Sequence, residues 1–196
     1  MVGPPPPPMV HHPVKELRML KILDRQSGIC LFTEQWKWHP HAHAEGVDAL
    51  VQSFTQFARE IDGGEVMQVH FNPTMGKNDP KIADDRRPSS GPMQFTNTTG
   101  AITMISTQTA VVQAVLFHDR TAAEPVAAAF KVFLQKLVAR FDQVYRDQLA
   151  NLRPQLEPNA TLTTEQHTAI LGEFVDFKIE LDAQLIPALE GSLPKQ

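Results

Sequence analysis

Three histidines at alternate positions, His39, His41 and His43, stand in the stretch QWKWHPHAHAEG. In an extended chain alternate side chains point the same way, so imidazoles at this spacing can converge on a metal ion. Zinc would also need a further ligand to complete a tetrahedron and outer contacts to fix the rings. Glu45 and Asp48 are near in sequence, yet both equally suit the first turn of a helix, where the backbone dipole favours carboxylates. Pro40 opposes regular strand pairing. No HExxH, HxHxDH or paired-cysteine pattern accompanies the histidines. The segment therefore reads as a solvated loop without metal or cofactor. A metal-binding enzyme or sensor built on His39, His41 and His43 is the alternative.

Other candidate residues point to binding rather than to chemistry. Trp36 and Trp38 lie at a strand end, where aromatic side chains either anchor an interface or close the core. His118, Asp119 and Arg120 end a strand-like run, but no nucleophile accompanies the histidine, so no catalytic dyad is expected. Arg120 reads as an ion-pair or partner residue. GGEVMQVHF lacks the Gly-Lys-Ser/Thr ending of a phosphate loop. No catalytic residue is assigned. The candidate partner-binding residues are Trp36, Trp38, Arg120 and Tyr145.

The elements that would carry these residues follow from hydrophobic rhythm. KELRMLKILD is apolar on both faces, as a strand inside a covered sheet is. RQSG makes a turn in which Gly28 can take positive φ, and ICLFTEQW returns as a second strand. Over 46–61 the period changes. Val47, Leu50, Val51, Phe54, Phe57, Ala58 and Ile61 recur at steps of three and four, which predicts an amphipathic helix packed on the sheet. Gly63-Gly64 stops it.

EVMQVHFN alternates again and predicts a short strand. Residues 73–92 carry prolines and charges and predict a long mobile loop, with the mixed Asp84–Arg87 run solvated. Residues 93–119 predict two or three strands, with turns at Thr99-Gly100 and near Thr109-Ala110. From Val126 to Leu149 the helical spacing is unbroken. Thr121–Glu124 fits a capping box, while Pro125 fits a first helical position. A last helix is predicted over 163–189, capped by Thr163 and Gln166, with Pro187 disturbing its end. Its acidic side chains read as a solvated face, or as a docking face for a basic partner.

Composition sets the outer limits. The chain has 196 residues, enough for one domain with a real core, and its net charge of −4 argues against a general nucleic-acid binder. One cysteine, Cys30, excludes a disulfide framework and reads as a small buried hydrophobe. No run approaches the roughly 18 apolar residues of a membrane span, and the first residues lack a signal-peptide layout. A cytoplasmic protein is expected, peripheral on endomembranes only through its partners. Residues 1–14 form a proline-rich, disordered tail, and the prolines at 4–8 could serve a proline-recognition module.

The expected fold class is α/β (α+β): a single domain over 15–190 with a five-stranded, mainly antiparallel sheet flanked by three helices, in the order β-β-α-β-β-β-α-α. This order resembles the longin or SNARE-like (profilin-like) domain. The matching pieces are DRQSG (Asp24–Gly28), VDALVQSFTQFAREI (Val47–Ile61), AVLFHDR (Ala114–Arg120) and AAAFKVFLQKLVARFDQVYRDQL (Ala127–Leu149). The resemblance spans roughly residues 15–150; the long 73–92 loop and the last helix depart from it. It implies a non-enzymatic adaptor or complex subunit of vesicle trafficking, binding small GTPases or sister longin-type subunits. No SNARE heptad motif follows, so a scaffold is expected and not a fusion protein. A self-associating structural protein, paired through an edge strand, is the remaining alternative.

Overall fold

The structure, a computed structural model, describes residues 15–37, 44–62, 64–71, 101–120, 122–158 and 161–193. Among the described residues there are five strands: β1 (Leu17–Asp24), β2 (Cys30–Gln35), β3 (Gln68–Phe71), β4 (Ile102–Gln108) and β5 (Val112–Asp119). They form one antiparallel sheet in the order β2-β1-β5-β4-β3. The central strands β1 and β5 are buried along almost their whole length, as their apolar residues on both faces require.

The β1–β2 turn is built by Asp24. Its carboxylate accepts from the amides of Gln26 (3.2 Å) and Ser27 (2.8 Å) and from the Ser27 hydroxyl (2.8 Å). Gly28 then sits at φ 74°, where a side chain would be strained and its Cβ would meet Gln52 at 2.8 Å. The β4–β5 turn is closed by Thr109, whose hydroxyl accepts from the amides of Val111 and Val112, both at 3.1 Å. The predicted Thr99-Gly100 turn, the 1–14 tail and the 73–92 loop lie outside the described residues.

Helix α1 (Ala44–Asp62) covers one face of the sheet. Val47 and Val51 pack there on Met19, Leu23, Met104, Val115 and Phe117. Helix α2 (Glu124–Leu152) covers the other face through Phe130, Leu134, Leu137 and Phe141, above Leu20, Ile22, Ile105 and Leu116. Alternation along each strand divides its side chains between the two layers. Helix α2 starts at Glu124 with Pro125 in its first turn and no side-chain cap, so the proline marks the start and a capping box does not.

The helix predicted as continuous over 163–189 is broken. Helix α3 (Thr164–Glu173) begins at the expected capping box, in which Gln166 N–H donates to Thr163 Oγ1 and Thr163 N–H to Gln166 Oε1. A turn follows, then α4 (Phe177–Glu180), a π-helical turn at Leu181–Leu185 and α5 (Ile186–Ser192). Pro187 explains the π turn: it has no N–H for the carbonyl one turn back, and its ring crowds that carbonyl. The pieces still bury Phe174, Phe177, Leu181, Ile186 and Leu189 in the α2 layer. No helix among the described residues is long and apolar enough to cross a membrane.

Candidate protein-binding face

Helix α1 is held to the sheet by polar contacts along one flank. Lys21 occupies the middle of β1, only 1% exposed, and its Nζ lies 2.6 Å from Asp48 Oδ1. The approach is off a hydrogen-bond direction, so the contact is an ion pair held mainly by charge. Further along the helix, the Gln52 amide donates to the Gly28 carbonyl (2.9 Å) and Arg59 to the Arg25 carbonyl (3.1 Å). The opposite flank is apolar: Phe54 reaches Phe71 of β3, with ring centroids 6.3 Å apart.

All seven apolar positions of α1 were expected against the sheet, and the structure corrects this. Val47, Val51 and Ala58 are buried and Phe54 half-buried, but Leu50, Phe57 and Ile61 face solvent, Phe57 at 61% and Ile61 at 64% exposure. The seven residues occupy an arc wider than one sheet face can cover, so its outer edge is left bare. Leu50, Phe57 and Ile61 are seven and four residues apart, which places them on one line of the helix. Met67, just before β3, is exposed as well. Among the described residues β3 is a four-residue edge strand, paired with β4 on one side only. Val175 and Ile179 are also exposed, but Lys178, between them, is tied to Glu34 (2.7 Å) and Asp182 (3.2 Å), which interrupts any patch there.

The residues singled out in the sequence are not brought together. His39, His41, His43 and Trp38 lie outside the described residues. Trp36 is half-buried and packs on the main core, where it serves as a lid. Arg120 is exposed at the end of β5, with its amide donating to the Ala101 carbonyl (2.9 Å). Tyr145 is 7% exposed, with its ring tilted against Phe141 (4.9 Å) and edge-on to Phe174 (5.2 Å). Helical periodicity alone marks it as inward-facing, since it falls on the stripe of Phe141 and Leu149. Lys21 and its pairing with Asp48 were missed. A lone lysine inside LRMLKILD was the available signal, because a buried charge demands a partner.

Chemically reactive groups are muted by burial. Burial, reinforced by the Asp48 charge, pushes the Cys30 thiol up to about 12. It is therefore no thiolate at neutral pH. Among the described residues no group of three or more His, Cys, Asp or Glu could hold a metal ion. His118, 3% exposed, packs on Phe130 (4.9 Å), and its Nδ1–H donates to the Asp119 carbonyl (2.8 Å). Burial lowers its pKa below the usual 6.5, against the weaker opposing pull of the Asp119 carbonyl and charge.

That depression has a consequence for stability. The unfolded chain takes up the proton first, so the contribution of neutral His118 is complete above about 6.5 and shrinks as pH falls from there toward the folded-state pKa. The loss can reach at most about 1.4 kcal/mol per pH unit in that window. Urea midpoints measured from pH 7 down to pH 5 should therefore fall more steeply for the natural protein than for His118→Gln. Parallel profiles would show that His118 is not the titrating group.

Compared with models of known protein families and with curated proteins, the chain matches none.

Proposed function

We propose that the chain is a longin-like, non-enzymatic adaptor or complex subunit of vesicle trafficking. It binds a protein partner, a small GTPase or a sister longin-type subunit, across α1. One observation carries this reading: the apolar line of Leu50, Phe57 and Ile61, left in water on a helix whose other flank is firmly anchored. Aromatic and aliphatic side chains held out by a rigid helix are the usual anchors of a protein interface. The element order β-β-α-β-β-β-α and the antiparallel sheet support this reading.

The test is co-purification of the tagged chain from its native cell, alongside a Phe57→Ser/Ile61→Ser variant. Both positions face solvent, so the variant should keep its thermal midpoint within about 4 °C, the range two exposed substitutions span. The expected result is a stoichiometric protein partner on the natural chain and none on the variant. A partner retained by both, or none on either, contradicts the assignment of the site. The edge strand β3 supports a second reading, pairing between two copies, which light scattering would report as a dimer that survives both serine substitutions.

A further inference from the structure

A small recess opens on the polar flank of α1, at the end of the sheet where the β1–β2 and β4–β5 turns meet. Its volume is about 70 Å³, and Arg25, Arg59, Thr55, Ser106, Thr107 and Glu65 are among its lining residues. This is room for a few water-sized groups and so for a small polar ligand, not for an extended one.

The two guanidinium groups are pre-set. Arg25 donates through Nη1 to the Thr109 carbonyl (3.3 Å), and Arg59 through Nη2 to the Arg25 carbonyl (3.1 Å). Among the described residues neither has a carboxylate within ion-pair distance. Each therefore keeps most of its five donors, fixed in direction by a backbone contact. The nearby acids are largely engaged elsewhere. Asp24 pairs with Arg153 (2.9 Å) and holds the turn amides, and Glu60 accepts from Gln56 (2.8 Å). Ser106 Oγ accepts from Gln113 (2.8 Å), so its own proton remains for a ligand. Glu65 is the one lining carboxylate that opposes an anion.

We propose that this recess binds a phosphate monoester group, with Arg25 and Arg59 as the charged fork and the Ser106 hydroxyl as a further donor. The geometry is suited to a tetrahedral dianion, which two forked guanidiniums grip better than a single carboxylate. The site is separate from the apolar line of α1 and stands or falls independently of the partner proposed above.

The test is a titration of the isotope-labelled full chain, in phosphate-free buffer, with inorganic phosphate and with glycerol 3-phosphate, followed by nuclear magnetic resonance. The expected result is saturable shifts confined to the Arg25, Arg59 and Ser106 region. Arg59→Gln, an exposed change, should weaken binding by about tenfold or more, the loss of a charge-assisted hydrogen bond. Glu65→Gln should tighten it. A second arm uses vesicles of phosphatidylcholine with and without a phosphatidylinositol monophosphate. Arg59-dependent retention on the phosphoinositide-containing vesicles, exceeding that expected from the soluble phosphates, assigns the group to a lipid headgroup, and equal affinities assign it to a free metabolite. No saturable shift in either arm, or shifts unchanged in Arg59→Gln and Glu65→Gln alike, overturns the proposal.

Discussion

Asp48→Ala should cost about 3–5 kcal/mol of folding stability, the usual penalty for removing one partner of a buried ion pair. The reason is the position of Lys21. It sits in the middle of β1, between Met19 and Leu23, beneath α1 and with 1% of its surface in water. A lysine near a sheet edge can bend its stem and carry the charge to solvent, but this one is roofed by a helix. Without Asp48 the ammonium is left as an unpaired charge in an apolar layer, which is expensive. Removing the charge as well reverses most of the loss. Lys21→Met/Asp48→Ala should lie within about 1 kcal/mol of the natural protein, because a flexible apolar side chain fills the same channel. Urea denaturation of the two single variants and the double variant gives the coupling directly. A cost below about 1 kcal/mol for Asp48→Ala would mean that Lys21 reaches water by some other route.

Phe141→Ala should have a comparable effect, about 3–5 kcal/mol, for a different reason. Phe141 is wholly buried in α2 at the centre of an aromatic cluster. Its ring lies 4.9 Å from Tyr145, 5.4 Å from Phe174 and 4.9 Å from Phe177, and Phe177 meets Phe32 of β2 edge-on at 5.4 Å. Phe141 therefore ties α2 to the broken helices at 164–192, and Phe177 carries the cluster on to the sheet. Truncation of Phe141 leaves a cavity that the three surrounding rings, themselves packed, cannot collapse into. Two readouts separate this from general weakening. The stability loss should be accompanied by faster hydrogen exchange across 164–192, while exchange in β1 and β5 slows or quickens only with global unfolding. Uniform acceleration over the whole chain would show instead that the terminal helices and the sheet open as one unit.

These two sites also mark the limit of what the chain's own pattern discloses. Local chemistry was legible. Asp24 to Gly28 spells a turn, Thr163 and Gln166 spell a cap, Pro125 marks a helix start, and the five strands and their antiparallel sheet follow from period and turn spacing. What period cannot convey is the width of the opposing surface. The spacing of α1 marks seven residues as apolar, but how many are covered depends on the breadth of the sheet beneath, which is a tertiary quantity. The break in the last helix was half-legible: Pro187 announced a disturbance, yet the turn after Glu173 depends on burying Phe174 and Phe177 together against α2. The pairing of Lys21 with Asp48, and the meeting of Arg25 with Arg59, join residues far apart in sequence; the lysine within LRMLKILD signals the need for a partner, but nothing local says which residue supplies it. His118 was noticed as chemistry but is a packed, neutral ring on Phe130.

Protein binding through α1 is tested most directly by placing a photo-cross-linking residue at position 57 and, as a control, at Val132 of α2, also exposed, in the native cell. Illumination should join position 57, and not position 132, to a single protein species. Cross-linking of similar yield from both positions, or none from position 57, would contradict the claim that this helix edge is a docking face.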